Sequence, residues 1–344
     1  MIDVALIGHL ESTSDYAALL AEIRSGARAD SDAIARLLPL LQAAPICDVH
    51  LASTRGDRLV ARYIDLFLAV DGSFQPASAR RKLDRACEEA RKTGARIAAL
   101  GGFASILGER DTDLASAFGL AFTTGNTLTA ATLAAQVQSV ADEGMTVTVV
   151  GAVGDVGSGL CRLLHRRRQQ LILVGRSPKP LARLSEELDR AETDSLAGAL
   201  PRTDVLVLVA SAPLAGVSLA GLPAHARVID AGHPRNALAS GVLYARGGRV
   251  RHSVLPSSDL PIVLGFEGPP GESHACLAEA CVLAYEGRLD ACSTGRGRIS
   301  VEAADAMLVR AARHGVNPAQ LDWQSAYQQP VQLARGGAGC PGHT

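Results

Sequence analysis

The stretch "TVTVVGAVGDVGSGLCRLLHRR" (146–167) decides the fold. A β-branched strand runs straight into Gly151, Gly154 and Gly157, and a helical run from Ser158 to His165 follows. The first glycine permits a tight turn, the second lets backbone approach a pyrophosphate, and the third lets helix pack closely on strand. The helix start adds unpaired N–H groups and a positive dipole. The spacing G-x-x-G-x-x-G departs from the commoner G-x-G-x-x-G, yet strand, loop and helix stand in the required order. Gly151, Val153, Gly154, Asp155, Val156 and Gly157 are therefore expected to cradle a dinucleotide, against the alternative of a glycine-rich structural turn.

Outward from this motif, short apolar runs bounded by glycine recur. They are "VALIG" (4–8), "RIAALGG" (96–102), "QLILVGR" (170–176), "DVLVLVAS" (204–211) and "RVIDAG" (227–232). Amphipathic helical patterns such as "PASARRKLDRACEEARKTG" (76–94) and "SPKPLARLSEELDRAE" (177–192) alternate with them. Buried strands alternating with helices predict an α/β fold with a doubly wound parallel sheet. The expected organisation is an α/β substrate domain over 1–122 with two clear strands, a connecting loop and helix over 123–144, and a Rossmann domain over 145–265. A helical segment over 266–333, purely helical after 272, and a disordered tail over 334–344 complete it; "RSGARADSDA" (24–33) reads as a loop.

The strand after the glycine loop selects the dinucleotide. An NAD site places a carboxylate at its end for the ribose 2′-hydroxyl. Here the end carries Gly175, Arg176, Ser177 and Lys179, so NADPH is favoured, with Arg176 and Ser177 facing the 2′-phosphate; a solvated basic turn is the bland alternative. "VASAP" (209–213) follows the fourth Rossmann strand, so Ala210 and Ser211 are expected to line the nicotinamide.

Composition narrows the class further. The net charge of −1 gives no field for DNA or an anionic membrane, and 3% aromatic residues are too few to stack single-stranded nucleic acid. The opening "MIDVALIGHLESTSD" lacks the features of a signal peptide, and no apolar run is long enough for a membrane span, so the expectation is a cytoplasmic protein. The seven cysteines are scattered without C-x-x-C pairs, which argues against disulfides and structural metal.

The motifs together resemble the long-chain acyl-(acyl-carrier-protein) reductases of cyanobacteria, NADPH enzymes that supply fatty aldehydes. The resemblance runs in order through "LIGHL" (6–10), "ALGGFASI" (99–106), "FTTGNTLTA" (122–130), "GAVGDVGS" (151–158) and "VIDAGHPRN" (228–236). It continues through "GGRVRHS" (247–253), "HACLAEACVLAYEG" (274–287), "GRGRIS" (295–300) and "RHG" (313–315). It implies that Cys276 is acylated by a thioester of acyl carrier protein or coenzyme A and that NADPH then releases the aldehyde; an aldehyde-using partner enzyme is implied too. Three departures fall where acyl recognition is expected: Leu128 in place of a histidine, "STGRGR" (293–298) in place of an aromatic segment, and the loop 254–273.

Local chemistry agrees with a reactive Cys276. Ser273 is expected to cap a helix whose first turn holds Cys276, where the dipole favours the thiolate. Glu279 is expected to point to water, and Cys281 to lie in the core with Leu277 and Ala284. Four other groups are weighed. His252 matches a family histidine after a strand and is the candidate acid–base group, or a surface residue. His9, after the first strand, is similar. His274 is expected to face away from Cys276. Thr123, Thr124 and Asn126 orient the acyl carbonyl or nicotinamide, or bond the interdomain turn.

Two other classes stay open. A shikimate-dehydrogenase-like enzyme would act without a covalent step but needs a lysine–aspartate pair, and the first domain offers only Lys82 and Lys92. A non-catalytic NADP-binding protein would keep the glycine loop and an inert Cys276. "RRKLDRACEEARK" (80–92) either docks an acidic carrier protein or is a solvated helix face.

Overall fold

A computed structural model describes residues 1–23, 30–69, 76–108, 114–189, 191–210, 219–233, 236, 242–258, 269–291, 293–294 and 299–324. Most of the expected loop at 24–33, Ser211 and the expected tail at 334–344 lie outside the described residues.

The first sheet contains Val4–Gly8 (β1), Ala44–Ala52 (β2), Arg58–Asp65 (β3), Ile97–Leu100 (β4) and Ala121–Thr123 (β5) in the order β2-β3-β1-β4-β5. β3, β1, β4 and β5 run parallel, and β2 is antiparallel to β3. The sequence predicts only two of these strands. β2 and β3 have half-exposed outer positions, which dilutes the apolar signal a buried strand gives. Thr13–Ile23 (α1) and Ser31–Leu37 (α2) follow β1. Pro76–Lys92 (α3), Phe103–Gly108 (α4) and Leu114–Phe118 (α5) occupy the later connections. The stripe Ala79, Leu83, Ala86, Cys87 and Ala90 of α3 buries against Ala5, Ile7 and Ala98. On its outer face Arg80 pairs with Asp84, Arg85 with Glu89 and Arg91 with Glu88, an ion-paired, solvated surface.

Asn126–Gln138 (α6) leads to the second sheet: Thr146–Val150 (β6), Gln170–Val174 (β7), Glu192–Thr193 (β8), Val205–Leu208 (β9), Arg227–Asp230 (β10) and Leu243–Arg246 (β11). All pairs are parallel and the order is β11-β10-β9-β6-β7-β8. Counted from β6 this is the 3-2-1-4-5-6 arrangement of a dinucleotide-binding sheet, with its crevice between β6 and β9. Asp155–Arg166 (α7), Pro178–Glu187 (α8) and Leu196–Ala199 (α9) connect β6 to β9. The fold is thus the expected α/β class, with two largely parallel sheets.

The chain then departs from the expected division. Arg249–His252 (β12), Glu272–His274 (β14) and Val316–Pro318 (β15) form a third, antiparallel sheet in the order β14-β12-β15, so the region after 272 is not purely helical. Ser257–Ser258 (β13) crosses back and pairs with the β2 edge of the first sheet. Ala275–Glu286 (α10) and Val301–Arg313 (α11) complete the fold. α10 is apolar almost all round and packs on the face of the first sheet opposite α3, where Leu277, Val282 and Leu283 are buried with Val4, Leu6 and Ala99. Each such side chain contributes about 1.5–3 kcal/mol when removed from water, so α10 belongs to the core. Cys281, 1% exposed, sits in that core as expected. Among the described residues no helix is long and apolar enough to cross a membrane.

Candidate active site

A cleft of about 330 Å³ lies where the carboxyl ends of β1 and β4 face those of β6, β9 and β10. Its nucleotide side is the glycine loop. Gly151 has φ +92°, and a Cβ there would lie 2.9 Å from the backbone N of Ala210. A Cβ at Gly157 would lie 2.2 Å from the Gly151 carbonyl oxygen, so only glycine lets α7 sit this close to the strand. Gly154 caps α7 in extended conformation, and Asp155 and Val156 of its first turn line the cleft with Val153 and Ala210. The residues present fit a dinucleotide pyrophosphate, because a cradle closed to side chains leads into an open helix N-terminus. Arg176 is exposed just after β7 and Ser177 caps α8, at the strand end that carries no carboxylate.

The opposite wall brings Cys276 forward. It is the second residue of α10, but the cap is His274; Ser273 instead lies in β14, with its hydroxyl 2.7 Å from His252 Nε2. The third sheet holds residues 272–274 extended, which delays the helix by one residue. Burial is the leading influence on Cys276 and pushes its thiol up, opposed by the backbone N–H groups of Gly102 and Leu277. The expected lowering by the helix start is therefore outweighed by desolvation. Gly125, φ +67°, lies against this residue; a Cβ there would fall 2.0 Å from the Cys276 carbonyl oxygen.

Glu279 overturns its expectation of facing water. It is fully buried: Oε1 lies 2.5 Å from Thr123 Oγ1 and 2.6 Å from Ser293 Oγ, and Oε2 accepts the Leu128 N–H at 2.7 Å. The Leu128 side chain is itself buried under α10, so this departure from the family pattern points into the core. Thr123 is thus committed to Glu279, while Thr124 and Asn126 line the cleft. Asn126 Nδ2 donates to Asp155 at 2.7 Å, tying the interdomain turn to the glycine loop.

The histidines divide differently from the sequence reading. His252 does not line the cleft: it is buried behind β14, held by Ser273, and burial lowers its pKa to about 4. His9 does line it. Its Nδ1–H donates to the Leu10 carbonyl at 2.9 Å and its Nε2 accepts the Phe103 N–H at 2.9 Å. Burial, with His233 next, lowers its pKa to about 3 and keeps it neutral. His274 also lines the cleft, contrary to expectation, because it precedes the helix proper. His233, in the loop after β10, completes the group, its ring centroid 4.8 Å from that of His9 and 6.2 Å from that of His274. His233, Glu11 and Arg246 were not singled out by sequence reasoning; the position of "AGHPRN" after a strand end was the available signal. Among the described residues no cluster of histidine, cysteine and carboxylate could hold a metal ion.

No family model matches the chain. Over 298 residues it is 34% identical to the long-chain acyl-(acyl-carrier-protein) reductase of Synechococcus elongatus, covering 80% of this chain and 87% of that one. Two solved structures are similar at a lower level. L-tryptophan dehydrogenase from Nostoc punctiforme shares 14% identity over 91% of this chain and 80% of that one, with a TM-score of 0.41. Shikimate 5-dehydrogenase from Thermus thermophilus shares 14% over 67% and 78%, with a TM-score of 0.34. By the extent and identity of the match to the Synechococcus protein, the chain belongs to the long-chain acyl-(acyl-carrier-protein) reductases, a family of oxidoreductases.

Proposed function

We propose that the protein reduces an acyl thioester, carried on acyl carrier protein or coenzyme A, to the aldehyde through a thioester on Cys276. The observation that carries this reading is the position of Cys276, in one cleft with the glycine loop and facing it across the sheet ends. Gly151, Gly154 and Gly157 with Asp155 and Val156 would hold the NADPH pyrophosphate, Arg176 and Ser177 its 2′-phosphate, and Ala210 its nicotinamide end. When bound there, NADPH supplies a hydride for the acyl carbon.

Cys276 Sγ attacks the thioester carbonyl, and collapse of the tetrahedral centre breaks the bond to the carrier sulfur. The carrier departs as a thiol and the acyl group stays on Cys276, so the bulky carrier is gone before reduction. Once reduced, the bound acyl group is a hemithioacetal oxyanion; as its C=O bond forms and its C–S bond breaks, the aldehyde is freed and the thiolate returns. The Gly102 N–H, which favours the Cys276 thiolate, would stabilise the charge that develops on Sγ. Thr124 and Asn126 position the turn between acyl group and cofactor, and His9, with both ring nitrogens engaged, serves as a fixed wall. The non-covalent alternative lacks support, since Lys82 donates to the Leu38 and Phe67 carbonyls and does not line the cleft.

The test is intact-protein mass after mixing with a panel of acyl-coenzyme A and acyl-carrier thioesters without NADPH. An acyl-sized adduct, absent in Cys276→Ala and discharged as aldehyde on adding NADPH, is the expected result. No adduct with any thioester, while NADPH still binds, would sink the reading.

A further inference from the structure

We infer that His233 is the proton carrier for Cys276 and that Glu11 orients it, a Glu11–His233–Cys276 relay reaching from the end of β1 through the end of β10 to the start of α10. The inference rests on the acyl-enzyme reading of Cys276 and adds the group that moves its proton.

Hydrogen bonds to the end of β10 flank His233 on both sides in the chain. Asp230, fully buried, accepts the N–H of Gly232 at 2.8 Å and both the N–H and the side-chain amide of Asn236 at 2.9 and 2.8 Å. His233 Nδ1 lies 3.1 Å from Glu11 Oε1. A carboxylate only accepts, so Nδ1 carries the proton and Nε2 presents its lone pair. That Nε2 is shielded from solvent and has no hydrogen-bond partner among the described residues. A buried ring nitrogen left unpaired is costly and calls for a partner that arrives with function. It abuts Gly102: a Cβ there would lie 2.7 Å from His233 Nε2, and Gly102, His233 and Cys276 line the same cleft. Gly102 has φ +56°, so it combines a turn with the lack of a side chain that would part imidazole from thiol.

The other cleft histidines do not serve. His9 has spent both nitrogens, and burial and Arg249 disfavour the protonated form of His274, which makes it a poor proton acceptor. The titratable and charged groups lining the cleft with His233 are His9, Glu11, Asp15, Asp155, Arg246, His274 and Cys276; Arg246 Nη2 lies 3.3 Å from the same Glu11 oxygen, and Glu11 is the anion that balances an imidazolium. His233 Nε2 takes the Sγ proton as the thiolate adds to the carbonyl carbon, then gives it to the departing carrier sulfur. After aldehyde release the Cys276 thiolate regains one proton from solvent through His233. The whole turnover thus consumes one hydride and one proton.

The test is the rate of Cys276 acylation without NADPH, followed by rapid-quench intact mass, for wild type, His233→Asn and Glu11→Gln, with NADPH affinity as the check of folding. Loss of a general base lowers the rate by about 10²–10³-fold in His233→Asn. In His233→Ala, added imidazole restores part of the rate, which a packing role would not allow. Glu11→Gln slows acylation by about 10-fold and alters its pH profile. A His233→Asn protein that binds NADPH and acylates at the wild-type rate overturns the relay alone. Should His233→Asn lose NADPH binding, a Glu11→Gln protein with unchanged rate and pH profile overturns it equally. A wild type that never acylates overturns the acyl-enzyme reading and the relay with it.

Discussion

Glu279 Oε2 accepts the N–H of Leu128 at 2.7 Å, so the helix bearing Cys276 and the helix joining the two sheets are bound together near their starts. Thr123 and Ser293 fill the other carboxylate oxygen, and a fourth contact, Ser293 Oγ to Thr127 Oγ1 at 2.6 Å, closes the cluster. Removing the acceptor leaves several buried donors unpaired, each costing about 1–3 kcal/mol. Glu279→Ala is therefore expected to destabilise the protein by about 3 kcal/mol or more, read as the denaturant midpoint. Glu279→Gln keeps an acceptor and should lose less than half as much. Losses below about 1 kcal/mol for both would show that the hydrogen bonds of the cluster contribute little.

This cluster also marks where the sequence stops being legible. The glycine loop is a local code of strand, turn and helix, and it could be read from 22 consecutive residues, 146–167. Glu279 could not, because α10 is apolar on nearly every side and its periodicity names no wet face. The cap of α10 was misplaced by one residue because a strand pairing, Arg249 with His274, holds the chain extended just before it. His233 and Glu11 lie 222 residues apart, and only the meeting of two sheets brings them together. Family resemblance points to Cys276, which lines the cleft, and to His252 as the acid–base group, which burial behind β14 keeps out of it.

Asp65 gives a pH dependence with a defined sign. It ends β3, 1% exposed, and accepts from Tyr16 OH at 2.7 Å, Tyr63 OH at 2.9 Å and the Phe67 N–H. Burial outweighs these donors and raises its pKa to about 6. A carboxyl whose folded pKa exceeds its unfolded value favours the folded state while protonated. Its contribution is full below about pH 4 and is lost as pH rises through about 6, a change of about 3 kcal/mol. Asp65→Asn removes this titration. The stability difference between wild type and Asp65→Asn should therefore vary across about pH 4–7 in that direction, and parallel unfolding curves would refute the assignment.

Gly125 tests the contact between the interdomain turn and Cys276. Its φ of +67° and the 2.0 Å approach of a Cβ to the Cys276 carbonyl both oppose any side chain. Gly125→Ala must push α10 away from the turn, at a cost of about 2–4 kcal/mol. Where the variant still folds, Cys276 acylation should fall at least about 10-fold while NADPH affinity changes less than about 3-fold, since the glycine loop is anchored elsewhere. Equal losses in both measurements would mean that the two walls of the cleft move as one body.

Arg176 is the residue on which the proposed preference for NADPH can be tested. It stands exposed after β7, where an NAD site would carry a carboxylate, and its guanidinium can form charge-assisted hydrogen bonds to a 2′-phosphate. Such bonds contribute about 1.5–3 kcal/mol, so Arg176→Ala should weaken NADPH binding by about 10–100-fold. NADH lacks the phosphate, and its affinity should change by less than about 3-fold. Fluorescence titration of both cofactors against wild type and variant separates the contributions. A parallel loss for NADPH and NADH would assign Arg176 to the adenine face, where stacking serves both cofactors alike, and would move the 2′-phosphate to Ser177 and Lys179.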